Sequence, residues 1–76
     1  MSFNGYKNWE TWNVCLWAAN DEDWYNYCRR HSGNYTATLA EEVTRELWPV
    51  GTPDMDSKAE YESVDWDEVA ECYNAF

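Results

Sequence analysis

The sequence predicts a small, mainly helical single domain over residues 1–76, a bundle of about four short helices. Three observations carry this. Apolar residues recur at helical spacing in four stretches. A side chain suited to capping precedes each stretch. Two segments rich in turn residues, His31 to Tyr35 and Trp48 to Pro53, separate the helical stretches. The alternative is an α+β fold with one short strand or hairpin, because Thr11 to Leu16 also alternates polar and apolar residues as a strand does.

Asn8 is the expected N-cap of a first helix running to about Ala19, with Trp9, Trp12 and Leu16 on one apolar face. Asn20 then caps a second helix that runs through Cys28 to His31. Asp21, Glu22 and Asp23 lie in its first turn, and Arg29 and Arg30 suit its C-terminal end. Trp24, Tyr27, Cys28 and His31 form its stripe. Thr38 and Glu41 make a capping box for a third helix, with Leu39, Val43 and Leu47 as its apolar face, and Pro49 stops it. Residues 49–64 read as loop, with room for a short extended piece. Asp65 caps the last helix, with Glu68 at the third helical position and Val64 against Val69 as a hydrophobic staple. Trp66, Val69, Ala70 and Tyr73 then face the core.

Composition excludes several function classes. Fifteen Asp and Glu against five Lys and Arg give a net charge of −10. Direct binding to nucleic acid or to an anionic membrane needs a basic face, so neither is expected. No apolar run approaches the roughly 18 residues of a membrane span. The first ten residues show no apolar core after a basic start, so no secretory leader is expected there and a cytoplasmic location is. Fourteen aromatic residues, six Trp, six Tyr and two Phe, argue against disorder despite the charge. They exceed what one small core hides, which points to aromatics at a partner surface or at a homodimer seam. Cys15, Cys28 and Cys72 are an odd number without C-x-x-C spacing, which fits unpaired core thiols.

The residues that carry chemistry are sparse. Cys28 and His31 lie one turn apart, but a structural zinc site needs four ligands and no such set is present. The segment from Asp54 to Glu60 begins like a calcium loop, then places Lys58 at position five and Ala59 where glycine is required. His31 is the only histidine, and nothing marks Cys28 as an activated nucleophile. No phosphate loop, nucleophile elbow or HExxH is present. The reading is a protein with no enzymatic activity, no metal and no cofactor.

The acids are more informative. Asp54, Asp56, Glu60, Glu62, Asp65, Asp67, Glu68 and Glu71 face only Lys58 between residues 54 and 71, a local charge of −7. Asp54/Asp56 and Glu60/Glu62 sit two apart, a spacing of about 6.5–7 Å in extended chain. Asp67/Glu71 and Glu68/Glu71 have helical spacing, roughly 5–6 Å between Cβ atoms. Both spacings resemble the pitch of phosphates along a nucleic-acid strand. With Asp21, Glu22 and Asp23 these residues form a candidate partner-binding surface for a basic groove. The competing reading is a solvated face that serves solubility alone.

Asn8-Trp9-Glu10-Thr11-Trp12-Asn13-Val14-Cys15-Leu16-Trp17 followed by Asn20-Asp21-Glu22 resembles the opening of a family of small, largely uncharacterised phage-type proteins. Val64 to Ala70 resembles their ending. The resemblance covers about a quarter of the chain and implies no activity and no site residues. It implies a setting: mobile elements that encode small acidic inhibitors of bacterial defence, of the anti-CRISPR and anti-restriction kind. The expected function is therefore inhibition of a nucleic-acid-binding defence protein, either a CRISPR effector or a restriction enzyme, by acidic DNA mimicry. The alternative is an interaction module that grips a host enzyme through exposed aromatics.

Overall fold

The computed structural model describes residues 3–76 and contains four α-helices and one 3-10 helix. The helices are α1 (Trp9–Asn20), α2 (Glu22–Arg30), α3 (Ala37–Leu47) and α4 (Trp66–Asn74), with the 3-10 helix Lys58–Ser63 before α4. α1 packs on α2 and α4, and α3 packs on α4. The mainly helical bundle is as expected, and Thr11 to Leu16 is helix. Among the described residues there is no β-strand. The nearest feature is one isolated bridge, where Phe3 and Tyr6 exchange backbone hydrogen bonds of 2.6 and 2.8 Å around a tight turn. Asn4 and Gly5 both have positive φ, 49° and 88°, as a two-residue hairpin turn of this hand requires.

Local capping decides where the helices begin. Asn8 caps α1 as expected, its Oδ1 accepting from the Thr11 N–H at 3.0 Å. Asn20 does not cap α2. Its side-chain amide donates back to the Leu16 carbonyl at 2.9 Å and closes α1, and Asp21 caps α2 by accepting from the Trp24 N–H. Similarly Thr36, not Thr38, caps α3, because its Oγ1 accepts from the Leu39 N–H. Asp65 caps α4 as expected, accepting from the Asp67 and Glu68 N–H groups. The reciprocal half of that box does not form. The Asp65 N–H donates to Thr11 Oγ1 at 2.9 Å, and Glu68 accepts instead from the Lys7 N–H at 2.8 Å. Residues 58–63, expected as loop, are 3-10 helix, opened by Ser57.

The core gathers Val14, Cys15 and Ala18 from α1, Trp24 and Cys28 from α2, Ala40 and Val43 from α3, and Val69, Ala70 and Tyr73 from α4, with Tyr35, Met55, Tyr61 and Val64 between them. Trp24 lies 6.0 Å from Trp48, and its indole N–H donates to the Tyr73 hydroxyl at 3.2 Å. That hydroxyl also bonds Thr44 Oγ1 at 2.6 Å, so one side chain of α4 ties α2 to α3. The face expected to bury α1, Trp9, Trp12 and Leu16, is only half-buried. The enclosed positions are Thr11, Asn13, Val14, Cys15 and Ala18. On α2 the expected stripe splits: Trp24 and Cys28 are buried, whereas Tyr27 and His31 are exposed, their tilted rings 5.6 Å apart.

Candidate acidic partner-binding surface

The eleven acids singled out in the sequence fall into two groups. Five are engaged within the fold. Asp21 and Asp65 are helix caps. Glu60 accepts from the Asp56 backbone N–H, and Glu68 from that of Lys7. Asp54 Oδ2 accepts from Asn13 Nδ2 at 2.9 Å and from Trp17 Nε1 at 2.8 Å, and these two donors hold its carboxyl below the usual carboxylate range. The other six, Glu22, Asp23, Asp56, Glu62, Asp67 and Glu71, are exposed. The single ion pair among the described residues is Arg45 with Glu41, 2.9 Å apart on α3, so none of the six is neutralised by a basic side chain.

Two local arrangements position the free acids. Asp67 and Glu71 are four apart on the outer side of α4, whose inner side carries Val69, Ala70 and Tyr73. Asp56 stands just before the 3-10 helix and Glu62 lies in its last turn. Gly51 sets the approach to that helix at φ 105°, where an added Cβ would come within 3.1 Å of the Ser57 carbonyl oxygen. Glu22 and Asp23 stand apart from these in the first turn of α2. Glu62 shares a shallow hollow with Arg45 and Lys58, so the acidic run is not free of cations.

Sequence reasoning missed what anchors Asp54. Asn13 is a fully enclosed polar residue of α1 whose carbonyl oxygen accepts from Thr52 Oγ1 while its amide donates to Asp54. A polar residue flanked by Trp12 and Val14 in an apolar helix is the only signal the sequence offered, because its partners lie about forty residues away.

The thiols are placed in the interior. Cys15 on α1 and Cys72 on α4 lie within hydrogen-bonding reach of each other and of Tyr6. The hydrogen bond between the two thiols, together with burial, raises Cys15 far above the ordinary thiol range, and the same bond lowers Cys72 against the opposing effect of burial. Burial pushes Cys28 up to about 11. The Tyr35 hydroxyl is buried without a nitrogen or oxygen partner and has the Cys28 thiol beside it. Since the thiolate is the nucleophile, a thiol-alkylating reagent applied to the native protein is expected to label half-exposed Cys72 first and to reach Cys15 and Cys28 only on unfolding. Peptide mapping by mass spectrometry checks this, and equal labelling of all three would contradict it.

Among the described residues no group of three or more His, Cys, Asp and Glu side chains is arranged to hold a metal ion. No described helix is long and apolar enough to cross a membrane. What the free acids can do chemically is attract cations: basic side chains, over a range of about 8–10 Å at physiological salt. No curated protein and no solved structure matches the chain. A model of a family of unknown function, DUF7249, matches residues 1–75, and the chain belongs to that family.

Proposed function

We propose that this chain is a non-enzymatic, phage-type inhibitor of a bacterial nucleic-acid-binding defence complex, with an anti-CRISPR role ahead of an anti-restriction one. Its carboxylates occupy the basic groove that receives nucleic acid. The observation that supports this reading is the set of exposed acids without a basic partner: Asp56, Glu62, Asp67 and Glu71 near the C-terminal end, with Glu22 and Asp23 on α2. Lys and Arg side chains that neutralise phosphates serve equally for carboxylates, and the attraction speeds and orients the encounter. The half-exposed aromatics supply apolar anchors near such a contact.

The quadruple variant Asp56→Asn, Glu62→Gln, Asp67→Asn, Glu71→Gln avoids the five engaged acids and so should keep the fold, checked by far-UV circular dichroism. It is expected to lose at least tenfold in its ability to displace duplex DNA from a captured effector. Raised salt should weaken the wild-type contact in the same way. Displacement equal to wild type by a folded quadruple variant refutes the mimicry. A second reading, an interaction module that grips a host enzyme through aromatics, has its own support: exposed Phe3 lies 5.0 Å from the half-buried Trp12 ring. Binding that persists at high salt selects that reading.

A further inference from the structure

α1 is apolar on more than the side that meets the core. Away from its buried positions, Trp12, Leu16 and Ala19 follow at i, i+4 and i+7, a spacing that lays them along one stripe. Ala19 is exposed, and Trp12 and Leu16 are half-exposed and do not belong to the shell packed against the core. The Phe3 ring, 39 % exposed, extends the stripe by resting on Trp12 with ring centroids 5.0 Å apart. An apolar helix face ordinarily turns toward a core or a partner, and this one meets neither within the chain.

Charge identifies what covers the stripe. α1 carries a single charged residue, Glu10, which lies off the stripe, whereas α2, α3 and α4 each carry at least three. For a chain of net charge −10, this is the helix on which two copies meet with the least repulsion. A basic partner would find no carboxylate along it, and an anionic lipid surface would be repelled by the rest of the molecule. The two ends of α1 differ in sign: exposed Lys7 stands just before it, and Asp21, Glu22 and Asp23 stand just after it. Antiparallel pairing of two copies about a two-fold axis near Leu16 sets each lysine toward the other copy's acids and each Trp12 toward the other copy's Ala19, where a small side chain leaves room.

We propose that α1 is the interface of a homodimer, in which two copies pack antiparallel through Trp12, Leu16 and Ala19, with Phe3 at the edge and Lys7 against Asp21, Glu22 and Asp23 of the other copy. This uses none of the acids from 54 to 71, and it shares with the inhibitor reading only the acids at the start of α2. One three-turn helix face covers less than the roughly 800 Å² per partner of a standard interface, which places this dimer among weak, transient associations.

Sedimentation equilibrium of the full chain from about 10 μM to about 1 mM tests it, a range in which weak self-association is seen. Wild type should pass from monomer to dimer and stop there. Leu16→Glu, which alters no core contact, should remain monomeric throughout with unchanged helical circular dichroism. Lys7→Glu should weaken association at least several-fold, and Lys7→Glu combined with Asp23→Lys should restore it at unchanged net charge. Wild type that is still monomeric at the highest concentration overturns the proposal. So does a dimer indifferent to Leu16→Glu. Should Leu16→Glu disturb the fold, failure of the charge exchange to restore association overturns it equally.

Discussion

Tyr73→Ala is expected to leave the chain largely unfolded at 25 °C. The ring is fully enclosed, meets Tyr35 edge-on at 5.1 Å and lies 5.9 Å from Phe76. Emptying such a site costs about 3–5 kcal/mol, by the measure of other aromatic truncations. The hydroxyl adds to that. It accepts from Trp24 Nε1 and bonds Thr44, so truncation orphans a buried indole N–H, at about 1–3 kcal/mol. Thr44 suffers less, because its hydroxyl keeps a 2.8 Å bond to the Ala40 carbonyl. Against this stands a total stability of roughly 4–11 kcal/mol for 76 residues. Urea unfolding followed by circular dichroism measures the loss. Tyr73→Phe, which keeps the ring, is expected to cost only about 1–2 kcal/mol. A Tyr73→Ala chain that unfolds cooperatively within about 1 kcal/mol of wild type would show that the ring is not the joint between α2, α3 and α4.

The second large effect is alkaline unfolding. Burial pushes Tyr61 up to about 12, and burial with the neighbouring thiols pushes Tyr6 to about 12. Burial raises Tyr35 and Tyr73 as well. Each neutral phenol is the form the folded chain accepts. A folded-state pKa above the ordinary 10.0 contributes stability that is complete below pH 10 and is lost as pH rises through the folded value. Four such groups act in one direction, so the fold should hold to about pH 10 and then fail cooperatively toward pH 12. Phenolate absorbance and far-UV circular dichroism, recorded on the same samples, should change together above pH 10. Full phenolate formation near pH 10 with native dichroism would contradict the burial of these side chains.

Helices were legible from the sequence wherever their signals were local. Asn8 and Asp65 cap as expected because a cap needs only the next three residues. The caps of α2 and α3 are Asp21 and Thr36 where Asn20 and Thr38 were expected, since capping propensity alone does not separate neighbouring polar residues. The free acids of α4 and of the 3-10 segment could be named from the sequence, but their engaged neighbours could not be told apart from them. Glu68 looks like a capping-box glutamate until the Lys7 backbone, 61 positions away, takes its carboxylate. Asp54 looks like a surface acid until Asn13 and Trp17 arrive from 41 and 37 positions away. The same distance explains the misjudged face of α1: Thr11 and Asn13 are buried because Asp65 and Thr52 satisfy them, and no local pattern records that.

Those long-range bonds bear on how the chain comes off the ribosome. Lys7 to Glu68, Asn8 to Ser63, Thr11 to Asp65 and Ser32 to Asn74 join residues from 42 to 61 positions apart. Short helices are marginal alone in water, and the α1–α2 pair lacks these bonds and the packing of α4 until α4 has been synthesised. During translation the first half of the chain therefore waits with its tryptophans uncovered. A nascent-chain experiment that stalls synthesis before residue 66 would find it protease-sensitive, and release of the final helix would close the fold in one step.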